Sequence, residues 1–311
     1  MKVEQIDRKW AKNVVNTGFC FSDCLKTVAM AMGRHCEFEF FHCYDLNITC
    51  SGKVMPEVRE KFQRVDYLEQ YHGLKLSVKK YPEEISLEEI KDLVQKKPLI
   101  LRVNAIYCPW DPSYQKTELN EIDNTTHYFI IYGISDDGMQ FECCDAYYNL
   151  TGLTIPVSEI PKMLSRVFYL EEIGEEQIPS VSEFREKTEE IWRPEGENSV
   201  DRIFQTLLKH LEEHWETWKA GGKEACLAIV SPLCWEMVSF MQRGIYFANM
   251  ADFYGEEGKE LGERFATLGE VCSRICTVCL KCSYTGKLSD KVLDGVRDVL
   301  AYLEQGKAKE A

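Results

Sequence analysis

The sequence predicts an α+β protein in two parts, a mixed unit built on an antiparallel sheet over residues 1–175 and an all-helical unit over residues 176–311. Three observations carry this reading. Apolar residues alternate in short runs through the first half, as in LKLSVKKY (74–81) and MQFECCDAYY (139–148), which is the two-residue period of a half-buried strand. Past about residue 170 the period becomes helical, as in SVDRIFQTLLKHLEEHWETW. Between them EEIGEEQIPSVSEFREKTEEIWRPEGEN has the charge, proline and glycine of a boundary.

Taken in order, residues 20–33 read as a helix, with Leu25, Val28, Ala29 and Met32 at helical spacing and Gly33 as the stop. A second helix is expected from Pro56 to Tyr71. LKLSVKKY is a strand, and SLEEIKDLVQKK is a helix whose Ser86 and Glu89 stand in capping-box spacing. PLILRVNAIY (98–107), HYFIIYGI and MQFECCDAYY complete four strands, the last two joined by SDDG. In the second part helices are expected near 199–218, 224–253, 256–283 and 289–305.

The chain of 311 residues is 45% apolar, enough for a real core. No export signal opens it and no run suggests a membrane span, so the sequence reads as a cytoplasmic protein. Its 14 cysteines, scattered through helical and strand patterns, read as free thiols. A net charge of -14 opposes nucleic acid and anionic membranes as partners. One basic concentration, Lys75, Lys79, Lys80, Lys91, Lys96 and Lys97, reads as a solvated face or a dock for an acidic carrier protein.

Chemistry centres on GFCFSDCLKTVAMAMG. A cysteine at a helix N-terminus meets unpaired N–H groups that favour thiolate, which describes Cys20; Cys24 lies one turn inside and reads as packing. A thiolate becomes an acyl-transfer nucleophile when a histidine is in reach and a third group orients the ring. His127 stands at a strand edge and Asp145 closes the next strand. Hairpin parity decides whether they share a face. A two-residue Asp137-Gly138 turn separates them, whereas a three-residue Asp136-Asp137-Gly138 loop with a bulge sets His127 opposite Tyr147, with Asp145 a diagonal neighbour. Both loops fit.

A Cys opening a helix, a late His on a strand and an Asp on the next is the order of papain-like cysteine enzymes, and the spacing is similar to the branch that processes bacteriocin leaders. A closer resemblance covers residues 18 to about 155. There PLILRVNAIYCPWDPSY and THYFIIYGISDDGMQFECCDAYYN resemble the N-terminal domain of the butirosin-biosynthesis acyltransferase family. Its members carry an apolar strand, a Tyr-x-Pro-aromatic segment, then His-aromatic, Tyr-Gly and Asp.

The resemblance implies a papain-like domain with Cys20 as nucleophile, His127 as base and Asp145 as orienter, without cofactor or metal. It implies an acyl or peptidyl carrier protein as donor and an amine-bearing small molecule as acceptor, in the setting of peptide-synthetase gene sets. Tyr107, Trp110 and Tyr147 are candidates for the substrate cleft. The chain departs from the pattern at Phe19, at Ala146 and at Val14, where papain-like enzymes place an oxyanion-stabilising Gln; Asn13 or Asn16, with the backbone N–H of Cys20, are the substitutes. A cysteine hydrolase or peptidase, and a non-catalytic binding protein of the same fold, are the alternatives.

VCSRICTVCLKC carries Cys272, Cys276 and Cys279 in cluster-loop spacing, with Cys282 beyond. No Gly or Pro frees that backbone, and the three share one helix face, so packing is the expected role.

Overall fold

The computed structural model of the chain describes residues 20–49, 55–60, 64–116, 126–192 and 199–308. It divides into two compact units, Met1–Phe38 with Tyr67–Ile178, and Glu39–Asp66 with Pro179–Ala311. The sequence places residues 39–66 in the first unit. They belong to the second, because buried Arg243 donates to the carbonyl of Cys43 at 2.8 Å and pairs with Glu60 at 3.5 Å, while Phe40 stacks on Tyr246.

Helix α1 (Cys20–Ala31) buries Cys24, Leu25, Val28 and Ala29, and ends where Gly33 takes a φ of +74°, open to glycine at no steric cost. Residues 39–66 then supply a two-stranded ribbon, β1 (Leu46–Thr49) and β2 (Glu57–Glu60), paired Leu46 to Glu60 and Ile48 to Val58. The helix expected from Pro56 is therefore confined to α2 (Arg64–His72). Pairing with β1 overrides the helical spacing of residues 57–60.

The first unit is organised by a six-stranded antiparallel sheet in the order β3-β8-β4-β5-β6-β7. Its strands are β3 (Leu74–Lys80), β4 (Leu99–Asn104), β5 (Thr126–Ile134), β6 (Gln140–Asp145), β7 (Leu150–Pro156) and β8 (Leu164–Glu172). Between β3 and β4, helix α3 (Leu87–Val94) starts at Ser86, which accepts from the Glu89 amide while the Glu89 carboxylate accepts from Ser86 N–H. A short helix α4 (Ile160–Met163) precedes β8. β7 and β8 are two strands beyond the four read in the sequence.

Each sheet face has its own core. Leu101, Val103, Phe129, Ile131, Phe141 and Cys143 pack with Ile90 and Val94 of α3 on one side. Ile100, Ile130, Cys144 and Phe168 pack with Cys24, Leu25 and Val28 of α1 on the other. This alternation is the strand period made physical, since successive side chains leave opposite faces.

The second unit is helical apart from the ribbon among its described residues. Helix α5 (Val181–Trp192) forms inside the stretch that reads as a boundary, burying Phe184, Thr188, Ile191 and Trp192. Then come α6 (Val200–Ala220), α7 (Gly222–Phe253), α8 (Glu256–Thr285) and α9 (Lys291–Ala308), close to the expected spans. Contrary to the sequence reading, α7 is by length and composition apolar enough to cross a membrane, with 33% of the qualifying window buried within the protein. α7 and α8 form a close hairpin in which an added Cβ on Gly244 would lie 2.6 Å from the Phe265 carbonyl oxygen.

Candidate active site

Cys20 is the first residue of α1, and His127 is the second of β5. Asp145 is the last of β6. Folding gathers them at one end of the first unit, with Cys20 half-buried, His127 4% exposed and Asp145 0% exposed.

Neither hairpin loop expected from the sequence forms. Ser135 N–H donates to the Gln140 carbonyl at 2.9 Å, so the loop is the four residues 136–139, with Gly138 at a φ of +69°. Continued unbroken, that register would set His127 opposite Tyr148 and turn it away from the face of Asp145. It does not continue, because the pairing passes from Gly133↔Glu142 to Ile131↔Cys143 and leaves Tyr132 as an extra residue. The bulge restores the parity that the three-residue loop would have supplied. His127 then leaves the sheet on the side of Phe129 and Ile131, and Asp145 on the side of Phe141 and Cys143.

His127 Nε2 lies 2.6 Å from Asp145 Oδ2. The Cys20 thiol neighbours the same ring and helps to hold its proton. Burial of the ring opposes protonation. The hydrogen bonds to Asp145 and Cys20, with the charges behind them, outweigh it and raise the His127 pKa to about 9.

Asp145 is held from three sides. Besides His127, its Oδ2 accepts the Trp110 indole N–H at 2.7 Å, and its Oδ1 accepts the Tyr148 amide at 3.1 Å. The residue therefore begins a turn and orients the histidine at once. Tyr148 OH donates to Asp111 Oδ2 at 3.0 Å, and burial together with that bond pushes the phenol well above its ordinary range. The rings of Tyr147 and Tyr148 flank His127 at centroid distances of 6.1 and 5.3 Å.

Of the residues expected in a substrate cleft, Tyr147 borders the histidine, Trp110 faces Asp145, and Tyr107 is 39% exposed at the end of a short 3-10 helix. Asn13 and Asn16 lie outside the described residues. Sequence reasoning missed Tyr148 and Asp111. The available signal was DAYYN, because an Asp whose carboxylate caps the amide three residues on also presents that residue to its neighbours.

The other cysteines contrast with Cys20. Burial, reinforced by the Asp145 charge, pushes the Cys24 thiol well up, and the same causes raise Cys144 to about 12. Cys272, Cys276, Cys279 and Cys282 are buried along the unbroken α8, and among the described residues no group of three or more His, Cys, Asp or Glu is arranged to hold a metal ion. The basic concentration is locally mixed. Lys97 pairs with Glu171 and Lys91 with Glu88, and a groove of about 350 Å³ is lined by Lys96 and Lys97 but also by Glu171 and Glu172.

A scan against protein-family models finds no match to this chain, and a search of curated proteins finds no similar sequence.

Proposed function

We propose that the first unit is a papain-like cysteine acyltransferase domain that moves an acyl or aminoacyl group from a carrier-protein thioester to an amine, in the cytoplasm and in the service of specialised-metabolite biosynthesis. The observation that carries the reading is the His127 ring hydrogen-bonded to the Asp145 carboxylate at 2.6 Å with the Cys20 thiol beside it. The likeness of residues 18–155 to the butirosin acyltransferase domain supplies the substrate class.

The Cys20 sulfur attacks the thioester carbonyl while His127 holds the thiol proton on its ring. The carrier thiolate leaves and takes that proton, so that the acyl group rests on Cys20. The amine then attacks the acyl-Cys carbonyl, His127 accepts its proton, and the Cys20 sulfur departs as the amide forms. Asp145 offsets the imidazolium charge in both halves and holds the ring through Nε2. Thioester aminolysis runs downhill, so the exchange needs no nucleotide.

The test is incubation with an acyl thioester, with and without small amines, followed by mass spectrometry. The expected result is acyl mass on the Cys20 peptide, an amide product only when amine is present, and neither in Cys20→Ala. Free acid as the sole product whatever the amine would make the domain a hydrolase, and an unmodified Cys20 would leave a non-catalytic scaffold.

A further inference from the structure

We propose that Trp110 is a positioning residue, one arm of a clamp by which the connection between β4 and β5 fixes the Asp145 carboxylate, with the Tyr148–Asp111 hydrogen bond as the second arm. The inference rests on the reading of Cys20, His127 and Asp145 as the reactive line, and it gives a role to the Tyr-Cys-Pro-Trp segment that the acyl-transfer steps leave unused.

Two bonds cross from this connection to the end of β6. Trp110 Nε1 donates to Asp145 Oδ2 at 2.7 Å, and Tyr148 OH donates to Asp111 Oδ2 at 3.0 Å. Adjacent residues on one side, 110 and 111, thus hold residues 145 and 148 on the other. The side they hold from is itself tied down. Asn104 caps the turn at Ile106 N–H, Asp111 N–H donates to the Cys108 carbonyl, and Gln115 N–H donates back to the Ile106 carbonyl at 2.9 Å. Ser113 N–H donates to Asp111 Oδ1 at 2.7 Å, and Cys108 is 0% exposed. The Trp110 ring meets Phe129 edge-on at 5.2 Å, so the indole is packed while its N–H points at the carboxylate.

The chemistry of the donor matters. Without Trp110 the carboxylate would be held by the Tyr148 N–H at Oδ1 and, at Oδ2, only by the histidine it is to orient. Trp110 fixes the other oxygen, the one that faces His127. Because an indole N–H is neutral, it orients Asp145 without cancelling the charge that supports the imidazolium, which an Arg or Lys in the same place would do.

The test follows the His127 ring directly, by NMR titration of protein carrying ¹³C-labelled histidine, with His127→Asn assigning its signal among six. Trp110→Phe keeps an aromatic ring against Phe129 and deletes the donor. Wild type is expected to titrate near 9. In Trp110→Phe the inflection should fall by at least one pH unit, and in Tyr148→Phe, which loses only the bond to Asp111, by less. A purely structural role lowers the melting temperature and leaves the inflection in place. An unmoved or upward-moved inflection in folded Trp110→Phe overturns the clamp while the site reading stands. If that variant does not fold, an unmoved inflection in Tyr148→Phe overturns it. Wild-type titration near 6.5 sinks both the clamp and the site.

Discussion

His127 and Asp145 stand 2.6 Å apart because one residue between them in the fold, Tyr132, is absorbed as a bulge. The loop at residues 136–139 alone would give the wrong parity, and β5 corrects it three residues before Ser135. Tyr132 touches neither side chain in the described contacts, yet it decides which face the histidine leaves from.

Deleting Tyr132 should therefore be tolerated by the site. Ile131 already pairs with Cys143 and Gly133 with Glu142, so removing the residue between them leaves a regular ladder with His127 still on the Asp145 face. The β4–β5 pairing spans only Thr126 to Ile131 and lies wholly on the far side of the deletion. The deleted protein should stay folded and keep the elevated His127 titration. A ring that titrates as a free histidine would refute the parity account.

The pH dependence of stability has a definite sign. His127 is raised from 6.5 to about 9 in the folded chain, so its stabilisation is fully present below about pH 6.5 and is lost as pH rises through 9. Replacing Asp145 with Asn removes most of the source. The difference in stability between wild type and Asp145→Asn should be on the order of 2–3 kcal/mol near pH 6 and should shrink between pH 6.5 and 9. Thermal unfolding followed across that range checks it, and a difference that grows toward pH 9 would contradict the assignment.

In the second unit Gly244 offers a packing test. A Cβ there would meet the Phe265 carbonyl oxygen at 2.6 Å and Gly269 Cα at 3.2 Å, both backbone atoms that cannot rotate away. Gly244→Ala gains helix propensity but must push α7 from α8, for a net loss of about 1–3 kcal/mol. A urea midpoint equal to wild type would show that the hairpin has slack.

What could be read in advance divides along physical lines. Helices α6 to α9 carry a helical period over eighteen or more residues each, and their expected spans lie close to the observed ones. Strand β7, LTGLTIP, carries Gly and Pro at a sheet edge, which mutes its signal, and β8 runs into the charged stretch before α5. The ribbon of β1 and β2 is four residues a side and owes its existence to pairing across sequence. The three site residues were visible as types in an order. Their mutual geometry was not, because it depends on a bulge whose only local sign is Gly133 inside an otherwise apolar strand. Trp110 was visible as an aromatic, but its bond was not, since nothing local shows that an indole 35 residues upstream reaches Asp145.

Thiol reactivity separates Cys20 from the rest of a cysteine-rich chain. Cys24, Cys36, Cys43, Cys108, Cys143 and Cys144 are buried, as are five of the six described cysteines of α7 and α8, while Cys20 is half-buried beside His127. Burial raises the pKa of Cys24, Cys108, Cys143 and Cys144, so near neutral pH those thiols are both covered and protonated. Limiting iodoacetamide at pH 7 should carbamidomethylate Cys20 first among the described cysteines, at least tenfold faster than half-buried Cys234, as read by peptide mass mapping. Burial pushes Cys234 up as well, and no histidine is bonded to it in the described contacts. In His127→Ala the advantage of Cys20 should collapse to within about threefold of Cys234, because only exposure and the helix N-terminus remain to favour it. Equal rates already in the wild type would mean that the imidazole does not activate the sulfur, and the acyl-transfer reading would lose its nucleophile.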